Sequence, residues 1–376
     1  MRPALYPILF GGGFSLDQFM GRQSAGLYYD FTKTDRLFQE NVGPTLADDV
    51  GEAIGLALDQ RQWGGSTLAG VLAGQSELVT NGGFDSDTVW TKQSGTISGG
   101  KLNGSNAAQL AYQNIGLVVG KIYRLQFDYT MSAGIGIRAN NSTTNGAAIM
   151  WSGTLGASGT ITAYVVATTG GILCFEASGA NFTGTIDNVS VKLVPGIPAI
   201  QATGTLKPTL QTTGAKYDGS DDNHLTSYVA GSGANFIVAL VTVPASIAVT
   251  QIMAGAIDAS SNRIYVGFGV DGIFAAALGT QTLSTIKGSQ DRRGAEVVVG
   301  LSFDGSSVRL FDDQSQSYSA AQSGNATTTV AFRLGARNAS GTADSVFAGS
   351  IKRLVAGREF LTLSRYNQIR NALLAA

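Results

Sequence analysis

The stretch KYDGSDDNHL, Lys216 to Leu225, places Asp218, Asp221, Asp222, Asn223 and the only histidine of the chain, His224, within one short segment. Residues of these types could ligate a metal, move a proton, or accept backbone amides in a turn. The calcium-loop pattern D-x-[DN]-x-[DN]-G fails, because Gly219 directly follows the first aspartate and no glutamate closes the run at the right distance. Zinc wants more nitrogen or sulfur ligands than one histidine, and the single cysteine, Cys174, lies in a distant apolar run, GGILCFEAS. Asp and Asn beside glycine hydrogen-bond their own backbone in Asx-turns. The expected reading is therefore a polar turn: Lys216-Tyr217 ends one strand and His224-Leu225 enters the next. Cys174 is expected to be a buried structural thiol, since His224 is its only possible imidazole partner. No glycine-rich loop followed by Lys-Ser/Thr is present to cradle phosphates.

What must position such residues is a chain of 376 residues, long enough for two or three domains, with 44% hydrophobic and only 14% charged residues and 50 glycines. Strand-forming residues recur throughout, so the low charge does not signal disorder. A formal net charge of −1 advertises no basic face and makes nucleic acid a poor partner. No apolar run approaches the roughly 18 residues of a membrane span. The opening MRPALYPILFGGG is too short, and lacks the small-residue site, to read as a signal peptide. Residues 1–21 are expected to be an extended anchoring arm carrying Leu5, Tyr6, Ile8, Leu9 and Phe10, with Gly11–Gly13 as a pivot.

From Arg22, Leu27 to Phe31 and Leu37–Gln39 read as short strands, Ile54, Leu56 and Leu58 alternate with small residues, and WGGSTLAGVLAGQS reads as a glycine-rich connector. A new unit starts near Glu77. Its period-two runs are Tyr123 to Tyr129, Ile135 and Ile137, Ile161 to Val166, Ile172 to Phe175, and Ile186 to Leu193. PGIPAIQ, with Pro195 and Pro198, marks a boundary. Beyond it come AKYDG, FIVALVTV, NRIYVGFGV, GIFAAAL, EVVVGLSFDG, SVRLFDD, AFRLGARN and FAGSIKRLVAG, separated by Gly/Ser/Asp/Asn turns. The end, LTLSRYNQIRNALLAA, reads as a helix with Tyr366, Ile369 and Leu373 on one face and Thr362 or Ser364 as cap. The fold class is all-β: two β-sandwich domains with an N-terminal arm and a short C-terminal helix.

Three local patterns carry a resemblance. LVTNGGFDSDTVWT, GKIYRLQFDYT and GTIDNVSVKLV resemble the start, middle and end of a carbohydrate-binding-module jelly roll. LKPTLQTTGAKYDGSDDNHL and the run from Phe347 to Leu374 resemble a concanavalin-like or laminin-G-like lectin sandwich. AGLYYDFTKTDRLFQENVG with GEAIGLALDQ resembles the opening strands of such a sandwich in tailed-bacteriophage virion proteins. The resemblance implies a discontinuous lectin-like domain, residues 22–75 and 196–376, with a jelly roll, residues 76–195, inserted.

For function, the resemblance implies a virion structural protein, a tail fibre, head fibre or decoration protein, docked on capsid or tail proteins by its arm. It is expected to be a homo-oligomer and to display sandwiches to host-surface polysaccharide. The other reading is a carbohydrate-binding or glycan-hydrolysing protein of lectin-like fold. Hydrolysis needs two carboxylates across a cleft. The Glu-x-Asp-x-x-Glu strand of lectin-like hydrolases is missing, and Glu176 and Glu296 stand isolated, so no catalytic activity is expected. For sugar contact, Trp151 is the platform candidate, with Arg138, Asn140 and Asn141 near it in sequence, against a core or subunit-interface role for the ring. By resemblance, Glu77 and Asp187 are candidates for a structural calcium, against a plain turn-capping role for Asp187. No other cofactor is expected.

Overall fold

The computed structural model describes residues 14–41, 45–231, 233–259, 262–322 and 328–375. The arm residues Leu5, Tyr6, Ile8, Leu9 and Phe10 lie outside them. The described chain is almost entirely β, arranged as two sandwiches.

One sandwich draws on both halves of the sequence. Its first sheet runs, in spatial order, through the strands Thr209–Gln211, Gly214–Lys216, Ser350–Gly357, Asn235–Thr242, Glu296–Phe303, Ser307–Asp312 and Ser315–Ala321, and Gly26–Asp30 also pairs with Ser350–Gly357. Its second sheet joins Leu37–Phe38, Leu56–Ala57, Ala199–Ile200, His224–Leu225, Arg333–Leu334, Gln251–Ala259, Asn262–Phe268, Ile273–Leu278 and Gln281–Asp291, with a small hairpin at one side. Between the sheets lies a core that includes Leu27, Tyr29, Phe31, Tyr217, Phe268, Phe274 and Phe347. The strand Asn235–Thr242 is apolar along nearly its whole length because both of its faces are covered.

The cover on the outer face is helical. Helix α1, Leu16–Gly21, and the C-terminal helix, Leu363–Ala375, pack there through Leu16, Phe19, Met20, Tyr366, Ile369 and Leu373. Residues 14–21 are thus not an extended arm. Leu16, Phe19 and Met20 fall at i, i+3 and i+4, Ser15 accepts from the amide of Gln18, and the resulting apolar stripe lies on the sandwich. Tyr366 stacks on Phe311 at 4.5 Å and donates to Val298 O at 2.8 Å. Gly300 makes room: a Cβ there would come within 3.0 Å of the Tyr366 ring.

Among the described residues, the strands between Thr91 and Val194 pair only with one another. One five-stranded sheet has the order Ile149–Thr154, Gly136–Asn140, Gly171–Ala177, Gln109–Leu117, Thr91–Lys92. The other is Ser158–Val166, Ile122–Ala133, Phe182–Val194, Lys101–Ala107, Thr96–Ser98. Phe84, Trp90, Phe127, Trp151, Phe175 and Phe182 fill the space between them.

The connector is also structured. Leu68–Ala73 is a one-and-a-half-turn helix capped by Thr67, and Leu68, Val71 and Leu72 join Phe38, Leu56, Leu58, Trp63, Ile122, Tyr164 and Val194 in a cluster linking the two sandwiches. Phe38 meets Tyr164 at 4.6 Å, and Trp63 Nε1 donates to Pro195 O at 2.9 Å. Asp59 accepts from the amides of Tyr28, Arg61 and Ile197, so one carboxylate gathers the first strand and the returning chain. Burial pushes Asp59 up to about 6 against the pull of those three amides. Among the described residues no helix is long and apolar enough to cross a membrane.

Candidate functional site

KYDGSDDNHL is a structural knot. Asp218 accepts from the amides of Ser220 and Asp221, and Asp222 accepts from the amide of Asp218. His224 is fully buried. Its Nε2 faces Ile54 O at 2.9 Å and its Nδ1 faces Tyr217 OH at 3.1 Å. A carbonyl only accepts, so Nε2 carries the proton and Nδ1 accepts from the phenol. Burial, helped by the charge of Lys207, lowers His224 to about 4, which keeps it neutral. Gly335, at φ +75°, lets the Tyr217 ring lie where a Cβ would collide with it. His224 therefore ties the early segment at Ile54 to the late one at Tyr217 and does no acid–base work. The carboxylates of Asp218, Asp221 and Asp222 do come close together, as do those of Asp48, Asp49 and Glu52. Both groups are turns in which carboxylate oxygens already hold backbone amides.

Glu77 and Asp187 are engaged within the protein. Glu77 accepts from the amides of Leu78, Val79 and Val191 and from the Ser190 hydroxyl, at 2.7 to 3.1 Å. Asp187 accepts from the neighbouring Asn188 amide at 2.7 Å. Three of these donors fall on Oε1 and one on Oε2, so Glu77 staples the start of the jelly roll to its last strand. The structure likewise removes Trp151 from the surface: its ring is 8% exposed, edge-on to Phe127 at 5.6 Å. Its register partner Ala139 faces the core, and Trp151 faces the same way. Asn141 is used locally, donating to Ile172 O and accepting from Thr169 N.

Arg138 and Asn140 point the other way. In GIRAN, Ile137 and Ala139 face the core, so Arg138 and Asn140 lie on the outer face; in GILCFEA, Leu173 and Phe175 face in, so Cys174 and Glu176 face out. Register then lines up Asn140, Cys174, Tyr112 and Thr91 across four strands, with Ser152, Arg138, Glu176 and Gln109 as the adjoining row. Tyr112 is half-buried, the one aromatic in the two rows. Arg138 Nη1 lies 3.6 Å from Glu176 Oε1, and both Glu176 oxygens accept from the Gly146 amide. Gln93 donates to Gln109 Oε1, and Gln109 donates to Thr143 O. Cys174 is covered beneath, with burial and the nearby Glu176 charge pushing its thiol up to about 12. The amide of Asn140 is buried with no hydrogen-bond partner on either atom among the described residues. A buried amide with both atoms unspent invites a bridging water or a ligand hydroxyl.

The result is a polar sheet face with one flat ring, one guanidinium and several amides, suited to hydroxyl-rich molecules. Tyr112, Gln93 and Gln109 were not singled out by sequence. The signal was the alternation in QLAYQNIGL, obscured by its polar and glycine positions.

No family model matches the sequence, and no curated protein matches it. Among solved structures, parts of the chain are similar to the CBM40 of a Ruminococcus gnavus IT-sialidase, bound to α2,3 sialyllactose (18% identity, 37% of this chain and 84% of that one, TM-score 0.32). Another is a Trypanosoma rangeli sialidase mutant displaying trans-sialidase activity (13%, 48% and 31%, TM-score 0.37). A third is the CBM22-1–CBM22-2 tandem of Paenibacillus barcinonensis Xyn10C (11%, 77% and 92%, TM-score 0.27). At these identities and scores the likeness bears on neither ligand nor activity. The chain is, by its own sheets, an all-β protein of β-sandwich, jelly-roll architecture.

Proposed function

We propose that this chain is a non-enzymatic structural protein of a tailed-bacteriophage particle, whose inserted jelly roll binds a surface glycan on the polar face around Tyr112. The observation that carries the binding half is the register row Asn140–Cys174–Tyr112–Thr91 with Arg138 beside it. The partly exposed ring offers an apolar platform, and Arg138 and Gln109 beside it offer donors. Support for a non-catalytic role comes from the same rows: Glu176 is their only carboxylate, is fully buried, and is held by Arg138 and Gly146, whereas glycoside hydrolysis needs two. The virion setting, the insertion of residues 76–195 into a split lectin-like domain, the capsid or tail partners and the homo-oligomer rest on the sequence motifs above. A shallow face of this kind gains strength from copy number.

The test has two arms. Titration of the purified chain with fragments of bacterial surface polysaccharide should show binding that Tyr112→Ala weakens by about tenfold, the loss of roughly one good contact, measured well below the melting temperature of the variant. Antibody against the chain should label intact particles. Binding indifferent to Tyr112→Ala, or steady release of reducing ends, overturns the first arm; unlabelled particles overturn the second.

A further inference from the structure

Arg333, in the strand Arg333–Leu334 of the larger sandwich, spends its fork on the wall of a cleft. Nη1 donates to Asn223 Oδ1 at 2.5 Å and Nη2 to Gly341 O at 2.7 Å. Both acceptors line a polar cleft of about 440 Å³ between the KYDGSDDNHL turn and the hairpin of Arg337–Ala339 with Thr342–Asp344. The volume falls in the range of small-molecule sites, about 300–1,000 Å³. A carbonyl oxygen has two lone pairs, so Arg333 fixes the Asn223 and Gly341 oxygens in place and leaves each with acceptor capacity. Arg337, beside the cleft, is taken up by both oxygens of Asp344.

Asp221 lines the same cleft and is exposed. Its hydrogen bonds run through its backbone: the amide donates to Asp218 Oδ1, and the carbonyl accepts from Asn223 Nδ2. Among the described residues its carboxylate joins no ion pair, not even with Arg333. The lining therefore holds an unspent carboxylate and two oriented carbonyl oxygens, while its guanidinium is engaged. An acceptor-rich wall of this kind matches a group that only donates. An ammonium has three N–H donors and no acceptor, and its bond to a carboxylate is charge-assisted. Thr342 and Val346, also in the lining, offer a hydroxyl and a short apolar surface to the ring that carries the ammonium.

We propose that this cleft binds an amino sugar, with the ammonium on the Asp221 carboxylate and the Asn223 and Gly341 oxygens facing its remaining donors. The site lies in the larger sandwich and shares no residue with the Tyr112 face, so it does not depend on binding there.

The experiment titrates the full chain with a glucosamine disaccharide, at a pH that keeps its amines protonated, and with the same disaccharide N-acetylated. Acetylation removes the charge and leaves one N–H per nitrogen. The amine form should bind about fivefold more tightly, the upper end for an ion pair at an open site, and added salt should shrink the difference. Asp221→Asn should erase the preference with melting unchanged, because the hydrogen bonds of Asp221 are backbone ones. Tyr112→Ala should leave the preference intact, so failure at the polar face and failure at this cleft are separately visible. Lysine amide, an amine without the ring, should bind more weakly than the disaccharide. Equal binding of the two forms, no binding of the amine form, a preference that survives Asp221→Asn or is lost in Tyr112→Ala, or lysine amide binding as tightly as the disaccharide would each overturn the proposal.

Discussion

Arg353 and Asp30, from opposite ends of the sequence, form a buried ion pair with Nε to Oδ2 at 3.0 Å and side chains 4% and 1% exposed. The same guanidinium reaches Leu373 O through Nη1 and Thr32 Oγ1 through Nη2, joining the first strand, the last strand and the C-terminal helix. Breaking one partner of such a pair strands the other in a medium that solvates it poorly. Arg353→Met should cost about 3–5 kcal/mol in denaturant unfolding of the larger sandwich. A cost below about 1 kcal/mol, the level of surface pairs, would mean that water reaches the site.

His224 gives a pH signature. Its folded value of about 4 lies below the ordinary 6.5, so between those values the folded chain binds fewer protons than the unfolded chain. The contribution is complete above about pH 6.5 and lost as pH falls toward 4, about 3 kcal/mol over the window. Asp222 and Asp59, each pushed up to about 6 by burial, act oppositely: the folded chain binds more protons between about 4 and 6, so acid relieves them. Comparison with His224→Gln isolates the histidine. The wild-type advantage in Tm should shrink from pH 6.5 to 4, and parallel Tm curves for the two proteins would refute a neutral buried imidazole.

Trp63 holds the two sandwiches together through its bond to Pro195 and through Arg36, whose guanidinium lies 4.9 Å over the indole. Trp63→Ala removes the centre of that cluster, a loss on the order of 3–5 kcal/mol for a buried tryptophan. Calorimetry should then resolve two transitions where the wild type shows closer coupling. A uniform shift of one transition would mean that the junction does not govern the coupling.

Deletion of residues 1–21 should lower Tm by several degrees. Leu16, Phe19 and Met20 together cover the outer face of the sheet, each contributing up to about 1.5–3 kcal/mol by burial. Differential scanning fluorimetry against full-length protein checks this, and an unchanged Tm would show that α1 adds nothing to the sandwich.

Periodicity made the sheets legible wherever one face was apolar and the other polar, as in Tyr123 to Tyr129, and wherever a strand was covered on both faces, as in FIVALVTV. The C-terminal helix was readable down to its buried face of Tyr366, Ile369 and Leu373. Short elements were less visible. Leu68–Ala73 looked like a connector because its glycines masked a helical stripe, and Gln109–Leu117 was hidden by polar residues on both faces. The candidate face was half legible. Arg138 and Asn140 belong to it, but Trp151 turns inward because a bulge between Ile149 and Trp151 resets the alternation. Tyr112 and Arg333 needed register across strands far apart in sequence, which no local pattern contains.

The pairing of Gly26–Asp30 with Arg353–Gly357 has a consequence for biosynthesis. As the chain leaves the ribosome, the first strand emerges 323 residues ahead of its partner, counted from Asp30 to Arg353. The jelly roll, whose described strands pair among themselves, can close while the rest is still being made. Until Arg353–Gly357 appears, Leu27, Tyr29 and Phe31 have no sheet to complete, and the nascent protein carries an apolar edge over that interval. Such a long-range closure makes folding slow and leaves the chain exposed to aggregation while it waits.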